Sequence, residues 1–380
     1  MVNFSYRNPV KILFGQGKID ELGKEIKRFG VKKVLFLAGG GSIMENGVYD
    51  SVVNSMKASG IEWQLLWGVR ANPELDHARV AIDTIKEHDL EAVVAVGGGS
   101  VIDEAKAVAA GYHLNDLWNA FEGKEIIKKA LPIFTVLTLS ATTSEMNSYA
   151  VLTHSAEKKK WAIGSQVLYP KVSIIDPSVQ TSLPWRQTAN GGVDAISHLL
   201  ENYVGGSEFE PTKAIIETLM KTVISSVDRL KKDESDLQAR ADFAWAVTLS
   251  LNGLTAPGMT GEWSVHTMEH SISAFFPDVA HGEGLSVIFP AWLTYAKDKK
   301  YEHFTRWAKN VWGVDSPEEG IAKLKEKFKS WGAPISFKDL NIGEEYIAKF
   351  AKNALLGGKV GVNWPLGLEE LKEIYRLALH

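Results

Sequence analysis

The pattern of apolar residues changes near residue 185, and this change constrains the fold more than any other feature of the chain. Before it, short apolar runs typical of buried strands alternate with amphipathic stretches typical of helices. After Leu183-Pro184 the strand pattern stops, and helical stretches continue toward the C-terminus. Because strands that alternate with helices form parallel sheets, we expect an α/β domain with a parallel sheet followed by an all-helical domain.

The individual elements follow from the same patterns. The predicted strands are Val34–Ala38, Ile61–Leu66, Ala92–Val96, Pro132–Thr138 and Val172–Asp176, and Phe4–Phe14 is a further strand or hairpin arm that Pro9 places at an edge. The predicted helices are Val48–Ser59, Glu74–His88, Val101–Tyr112, Gln187–Val204, Pro211–Leu230, Leu237–Leu254, Trp263–Phe275, Leu285–Lys297 and Leu368–Leu379. The turn-rich segment Asp176–Trp185 predicts domains of residues 1–184 and 185–380.

The composition excludes several classes of protein. The chain has no cysteine, which rules out disulfides, thiolate zinc sites and iron–sulfur clusters, so a metal must use histidine, carboxylate or carbonyl ligands. A formal net charge of -4 gives no basic excess for binding nucleic acid. Apolar runs such as Val287–Leu293 are too short to cross a membrane, and the N-terminus does not have the pattern of a signal peptide. We therefore expect a cytoplasmic protein.

A glycine-rich loop joins a predicted strand directly to a predicted helix. Gly97-Gly98-Gly99-Ser100 follows the strand Ala92–Val96, and glycines there let a phosphate approach the backbone N–H groups of a helix N-terminus. Ser100 is predicted to cap the helix, with Asp103 as its capping-box partner. Ile102 stands where the standard dinucleotide motif has its third glycine. A plain strand–helix turn without a ligand therefore stays open as an alternative.

Two further loops follow predicted strands. Gly39-Gly40-Gly41-Ser42 has no carboxylate until Glu45, so nothing acidic is placed to hold a ribose 2′-hydroxyl, and a 2′-phosphate would be tolerated. The hydroxyl-rich segment Thr138–Glu145 is well placed to contact a ribose or phosphate. Either loop is also explained by a turn with no ligand.

Aspartate and histidine residues recur at helical spacing in the second half of the chain. Asp194 and His198 are four residues apart, as are His266 and His270, and each pair shares one face of a helix. His281 follows in a glycine-flanked segment that we expect to be a turn. One carboxylate and several imidazoles suit Fe²⁺ or Zn²⁺ and not Mg²⁺ or Ca²⁺. The alternative is that these residues lie on solvated helix faces.

Together these residues resemble the iron-containing alcohol dehydrogenase family, the group III dehydrogenases, over nearly the whole chain. The resemblance is carried by the segments Gly97–Asp103, Ile175–Pro177, Ala189–His198 and His266-x-x-x-His270 with His281-Gly282. Within the family, the NADPH-dependent aldehyde reductases and butanol dehydrogenases are most similar. The resemblance implies the dehydroquinate synthase-like fold, in which a Rossmann-like parallel-sheet domain precedes an all-α domain.

The resemblance also implies roles for individual residues. The implied metal ligands are Asp194, His198, His266 and His281, for Fe²⁺ with Zn²⁺ as the alternative. His270 is implied to lie near the nicotinamide and substrate as a catalytic residue, and we expect it to move a proton. The cofactor is expected to contact Gly39, Gly40, Ser42, Gly97, Gly98, Gly99, Ser100, Asp103, Thr138, Thr142 and Lys160. For Lys160 the alternative is one charge in a solvated Lys158–Lys160 run.

The sequence of the Gly39–Ser42 loop indicates the cofactor preference. Relatives that prefer NAD carry an aspartate where this chain has Gly40, which favours NADP(H) over NAD(H). Met44 stands where some NADPH-using relatives carry a basic residue.

The expected reaction is metal-dependent hydride transfer between NAD(P)(H) and primary alcohols or aldehydes such as butanol and butanal. The alternatives are a glycerol-type polyol dehydrogenase of the same fold, a metal-dependent hydrolase or lyase without nicotinamide, and a non-catalytic binding protein. The segments Asp194–Val204 and Trp263–Gly284 contain no lysine or arginine, which favours uncharged substrates. We interpret Trp263, Phe275 and Phe276 as core residues of the helical domain, with an apolar substrate wall as the alternative. We also expect a homodimer.

Overall fold

The computed structural model describes residues 3–205 and 209–380. They divide into two compact units. One comprises Asn8–Leu183 and Ser235–Ala244, and the other comprises residues 3–7, the described part of Pro184–Glu234, and Trp245–His380. No helix in the described residues is both long and apolar enough to cross a membrane.

The first unit contains a parallel sheet of six strands in the order β1-β8-β5-β4-β2-β3, together with the antiparallel hairpin β6–β7. The strands are β1 Lys11–Phe14, β2 Lys33–Ala38, β3 Glu62–Leu66, β4 Ala92–Gly97, β5 Ile133–Leu137, β6 Tyr149–His154, β7 Lys159–Gly164 and β8 Val172–Ile175. The predicted α/β domain with a parallel sheet is thereby confirmed, and the five predicted strands that follow Phe4–Phe14 agree within one residue at each end.

Two parts of the sheet unit differ from the sequence prediction. Of the predicted segment Phe4–Phe14, only β1 is a strand, and it lies at the edge of the sheet beside β8. The hairpin β6–β7 was not predicted, because its turn is a charged segment that ends at Lys158 in the left-handed conformation (φ 53°). In β6 itself, Ala150 and Leu152 are buried.

Alternating residues of each central strand pack on the two faces of the sheet. In β2, Val34 and Phe36 join one apolar core, and Leu35 and Leu37 join the other. The helices of this part of the chain are α1 Leu22–Arg28, α2 Ser42–Glu45, α3 Val48–Ser59, α4 Leu75–Glu87, α5 Gly99–Gly111 and α6 Leu117–Phe121. Apolar residues of α1 and α3 belong to the first core, and those of α4 and α5 belong to the second. The β-branched runs are therefore buried on both faces, as in other parallel sheets.

The strand order creates a switch point between β2 and β4. These neighbours pair in register from Val34 with Ala92 to Ala38 with Val96, yet β3 lies beyond β2 and β5 lies beyond β4. The loops after β2 and β4 therefore leave the same edge of the sheet toward opposite sides. In open α/β sheets, ligands bind outside the carboxyl ends of the strands at this kind of position.

After β8 the described residues contain helices and no further named strand, which confirms the predicted helical region. The α-helices are α7 Trp185–Val204, α8 Glu210–Lys232, α9 Leu237–Ser250, α10 Ser264–Phe275, α11 His281–Ala296, α12 Tyr301–Trp307, α13 Pro317–Ser330, α14 Ile347–Ala354 and α15 Leu368–Leu377.

Helix α11 begins four residues earlier than predicted. His281 is therefore the first residue of a helix, and the expected turn around it is wrong. The physical reason is the Glu283 carboxylate, which accepts a hydrogen bond from the Ala280 N–H at 3.2 Å and so stabilises the first turn.

Candidate active site

One carboxylate oxygen in the helical unit is surrounded by three imidazoles. Asp194 lies on α7, His198 one turn further along it, His266 on α10 and His281 at the start of α11. The distances from Asp194 Oδ1 to the Nε2 atoms are 3.5 Å for His198, 3.8 Å for His266 and 3.7 Å for His281. Asp194, His198 and His266 are buried, which contradicts the alternative of solvated helix faces. We refer to these four residues as the Asp194 cluster.

The residues of the Asp194 cluster fit a divalent metal. Within the part of the chain that the structure describes, Asp194 Oδ1 and His266 Nε2 are buried and have no hydrogen-bond partner. Leaving such atoms unsatisfied is unfavourable. Four ligand atoms that surround a tetrahedral metal at about 2.1 Å lie about 3.4 Å from one another. The three separations from Asp194 Oδ1, 3.5, 3.8 and 3.7 Å, are close to this value, and the ligand atoms of Asp194, His266 and His281 all lie within 4.8 Å of one another.

The Asp194 carboxyl and the His266 imidazole of the Asp194 cluster have pKa values shifted in opposite directions, so both favour their charged forms. Burial opposes ionisation of Asp194, but His198, His281 and His266 outweigh it and lower the pKa of this carboxyl well below its usual range. Burial lowers the pKa of His198 to about 3, so this imidazole is neutral. Burial also disfavours the charged form of His266, but the Asp194 and Glu201 carboxylates raise its pKa to about 9. A metal that binds near neutral pH therefore has to displace a proton from His266.

Two buried glutamates orient the imidazoles. Glu201 Oε1 lies 3.1 Å from His266 Nδ1, and Glu269 Oε2 hydrogen-bonds His281 Nδ1. Because Nδ1 is engaged in each ring, Nε2 is the atom that is turned toward Asp194. Carboxylates behind metal-binding histidines commonly act in this way.

Neither glutamate was identified from the sequence, although a spacing signal exists for both. Glu201 is three residues after His198 on the same helical face, and Glu269 is three residues after His266. Their complete burial is what distinguishes them from ordinary surface glutamates.

His270 lies beside the Asp194 cluster. Its ring centroid is 5.6 Å from that of His281, and its side chain is partly exposed. Glu269, His270 and His281 also offer ligand atoms within 4.8 Å of one another. The structure therefore brings the predicted catalytic histidine to the predicted ligands.

In the sheet unit, the Gly97–Ser100 loop forms the start of α5. The helix begins at Gly99, and Gly98 is the N-cap without any side-chain cap bond. The predicted capping box of Ser100 and Asp103 is therefore wrong. The Asp103 carboxylate instead accepts hydrogen bonds from Ser144 Oγ and from the Val151 N–H at 3.1 Å, because tertiary partners compete for it successfully.

The hydroxyl-rich segment packs directly on this loop. The Thr138 N–H donates to the Gly97 carbonyl at 3.0 Å. A Cβ built on Gly99 would lie 2.1 Å from Thr142 Oγ1, so only glycine allows this close approach. The structure therefore brings Thr138 and Thr142 to the Gly97–Ser100 loop, as the resemblance implies.

A buried lysine that the sequence analysis missed holds the segment in place. Lys106 on α5 is fully buried, and its ammonium group donates to Ser144 Oγ at 2.9 Å, Asn147 Oδ1 at 2.9 Å and the Tyr149 carbonyl at 2.8 Å. Burial lowers its pKa to about 8. The only signal in the sequence is a single charged residue between the apolar positions Ala105 and Ala107.

Lys160 is buried in β7 with only 5% of its surface exposed, so the alternative of a solvated charge run does not apply to it. Burial raises the pKa of Asp103, and the charges of Lys106 and Lys160 oppose that rise. Two predicted cofactor residues, Asp103 and Lys160, thus interact electrostatically in the folded unit.

The other glycine loop, Gly39–Ser42, follows β2, which lies next to β4 in the sheet. Gly40 is exposed, and a Cβ built on it meets no atom within 4 Å. Ser42 is exposed at the start of α2. The Val69 N–H donates to the Ala38 carbonyl at 3.2 Å, and Gly68 N–H to the Gly39 carbonyl at 3.4 Å. Arg70 directly follows Gly68 and Val69, the two residues that make these hydrogen bonds. Its exposed side chain lies 3.8 Å from Glu74.

Comparison with protein families identifies the class. Residues 9–177 match the family model described as iron-containing alcohol dehydrogenase, and residues 188–379 match the C-terminal model of the same family. The chain belongs to the iron-containing alcohol dehydrogenase family, and it is an oxidoreductase of the alcohol dehydrogenase class.

Individual relatives cover the full length. NADH-dependent butanol dehydrogenase A of Clostridium acetobutylicum is 37% identical over 99% of both chains. NADPH-dependent aldehyde reductase YqhD of Escherichia coli is 32% identical over 100% of both. The crystal structure of NADH-dependent butanol dehydrogenase A from Thermotoga maritima has a TM-score of 0.98 at 48% identity, covering 100% of this chain and 99% of that one.

Glu201→Gln tests the orienting role of this carboxylate. Glutamine keeps the size of the side chain but loses one acceptor oxygen, so His266 should be held less firmly. We expect about 10- to 100-fold weaker Zn²⁺ affinity, measured by competition with a chromogenic chelator. Glu217→Gln is the matched control, because Glu217 is a buried carboxylate that pairs with Tyr203 and Arg306. Equal Zn²⁺ affinity in wild type and Glu201→Gln would contradict the assignment.

Proposed function

We propose that the chain is a metal-dependent alcohol dehydrogenase and aldehyde reductase that acts on uncharged primary alcohols and aldehydes, such as butanol and butanal, with NAD(P)(H). The observation that carries the proposal is the convergence of three imidazole Nε2 atoms on one carboxylate oxygen, Asp194 Oδ1. The names of the butanol dehydrogenase and aldehyde reductase relatives support the substrate class.

The Asp194 cluster, the two glutamates behind it and the cofactor would each supply a different part of the chemistry. A divalent metal held by the Asp194 cluster would polarise the substrate oxygen as a Lewis acid, and a nicotinamide would donate or accept the hydride. Asp194 contributes one negative charge and the neutral imidazoles contribute none, so a bound dication keeps a net positive charge among its ligands. Glu201 and Glu269 would keep the Nε2 atoms of His266 and His281 directed at the ion. The cluster, with three nitrogens, one oxygen and no sulfur, supports Fe²⁺ with Zn²⁺ as the alternative.

One observation weighs against a hydrolase or lyase, and another weighs against a phosphorylated substrate. A hydrolase or lyase without nicotinamide has no use for a glycine loop at the switch point between β2 and β4. A phosphorylated polyol would need cationic partners, and the segments Asp194–Val204 and Trp263–Gly284 offer no lysine or arginine.

Metal removal tests the reaction class. After chelation, butanal should not oxidise NADPH or NADH, and anaerobic Fe²⁺ or Zn²⁺ should restore the loss of cofactor absorbance. Asp194→Ala removes the charged ligand and should lose both bound metal and activity. Asp298→Ala, an exposed aspartate of the same unit, is the control and should keep both. An Asp194→Ala variant with bound metal and full activity would refute the ligand assignment.

We further propose that His270 carries the proton to or from the substrate oxygen. Its position beside His281 and its partial exposure support this role, and an ordinary imidazole titrates near about pH 6.5.

His270→Ala should lower kcat by about 100-fold or more and remove the corresponding limb of the pH–rate profile while the bound metal is retained. His88→Ala changes an exposed histidine and should alter neither property. Unchanged turnover and an unchanged pH–rate profile in His270→Ala would exclude the role.

The cofactor preference that we propose is NADP(H) over NAD(H), bound at the loops after β2 and β4. The absence of a carboxylate at Gly39–Ser42 supports it, because no charge there repels a 2′-phosphate. Arg70 adds a cation next to the segment that hydrogen-bonds this loop. The butanol dehydrogenases named above are described as NADH-dependent, so direct comparison of the two cofactors is essential.

Gly40→Asp should raise the ratio of KM for NADPH to KM for NADH by about tenfold or more, since about 1.4 kcal/mol of repulsion gives that factor. The exposed position leaves room for the side chain. Gly40→Asn has the same size without the charge and should keep the wild-type ratio. A wild type that prefers NADH, with no change in Gly40→Asp, would contradict the preference.

Three broader assignments are also proposals. Residues 1–184 would bind the dinucleotide, and residues 185–380 would bind metal and substrate. A homodimer is supported by β1, an edge strand to which a second copy can pair, and sedimentation measures it. A cytoplasmic location is supported by the lack of cysteine.

A further inference from the structure

Trp263 has an unusual backbone conformation at the start of α10. Its φ of 61° and ψ of 9° place a bulky residue in the left-handed region, where glycine, asparagine and aspartate are the usual residues. It also occupies the N-cap position, which favours small polar side chains, and it makes no side-chain cap bond. Both local preferences are broken at one residue, and such strain is typical of functional sites.

Glu201 compensates for the missing cap. Its Oε2 accepts the Trp263 N–H at 2.6 Å, and its Oε1 accepts the His266 N–H at 3.1 Å. The same carboxylate orients the His266 imidazole. The backbone of Trp263 is therefore fixed by the group that positions a proposed metal ligand.

The indole lies against the Asp194 cluster. Its ring centroid is 5.5 Å from that of His266 and 6.5 Å from that of His198, and the side chain is partly exposed. A Cβ built on Gly261 would lie 2.2 Å from Trp263 Nε1, so glycine at 261 is needed for this placement of the indole.

The ring contacts of Phe275 and Phe276 differ from those of Trp263. Phe275 and Phe276 both pack on Phe350, at 5.8 and 6.0 Å between ring centroids, and Phe276 also packs on Tyr346. The interpretation as core residues agrees with the aromatic packing of Phe275 and Phe276, although both side chains are partly exposed. It does not fit Trp263, whose ring contacts are with imidazoles of the Asp194 cluster.

We propose that the Trp263 indole is the apolar wall of the substrate site and limits the width of the substrate at the carbon next to the carbonyl. The inference rests on the proposed function, because it assumes that the substrate oxygen is directed at the Asp194 cluster. A flat indole accommodates an unbranched alkyl chain along its face. Methyl branches next to the carbonyl would collide with it, so straight-chain aldehydes are favoured over branched ones.

Trp263→Ala and Trp263→Gly test this proposal with two substrates, butanal and pivaldehyde. Pivaldehyde carries three methyl groups on the carbon next to the carbonyl. Both variants remove the indole, and glycine also relieves the left-handed strain. We expect the ratio of kcat/KM for pivaldehyde to that for butanal to rise by about tenfold or more in both variants. Trp263→Phe keeps a smaller ring and should give an intermediate ratio. Bound metal is measured for every variant.

The controls separate this inference from the proposed function. Phe276→Leu, at a ring that packs on Tyr346 and Phe350, should keep the wild-type ratio. An unchanged ratio in Trp263→Ala and Trp263→Gly, with metal and butanal turnover retained, would overturn the wall. Loss of metal from all three Trp263 variants would make Trp263 a support for His266 and would also overturn it. A metal-loaded wild type that turns over neither aldehyde contradicts the proposed function itself, and the wall with it.

Discussion

The buried carboxylate of Asp194 is the group on which the organisation of the helical unit depends. Three imidazole Nε2 atoms lie within 3.8 Å of its Oδ1, and this buried oxygen accepts no hydrogen bond from the described residues. A buried charge is costly without a partner, and a divalent cation satisfies this oxygen and the imidazoles at once. Helices α7, α10 and α11 meet this requirement together, because each brings at least one ligand to the same point. Glu201 and Glu269 complete the arrangement by holding the far side of two rings.

The sheet unit also contains a buried charge that requires polar partners. Parallel strands carry the two glycine loops to one edge of the sheet, and Lys106 holds the segment that packs on the second loop through three hydrogen bonds. Because all three ammonium hydrogens are used, the lysine can be buried at limited cost. The position of Thr142 against Gly99 thus depends on the charge of a fully buried lysine.

Local patterns were sufficient wherever a residue's neighbours in the sequence determine its environment. The apolar run Val34–Ala38 predicted β2 because both faces of the sheet are covered, and the Asp194–His198 spacing predicted a shared helix face. Glu201, Lys106 and the hairpin β6–β7 escaped prediction because charged residues resemble surface residues until their tertiary partners are known. The capping box failed for the same reason, since Ser144 and Val151, more than forty residues away, take the Asp103 carboxylate. The family resemblance, carried by motifs from both halves of the chain, joined the glycine loops and the histidines into one prediction.

X-ray absorption spectroscopy of the Zn²⁺-loaded protein tests the central claim most directly, because it reports the atoms bound to the metal without requiring a substrate. We expect one metal ion per chain, with three imidazole nitrogens and one carboxylate oxygen at about 2.0–2.2 Å. A spectrum with fewer than three imidazoles, or binding that is not stoichiometric, would contradict the assignment of Asp194, His198, His266 and His281 as a single metal site.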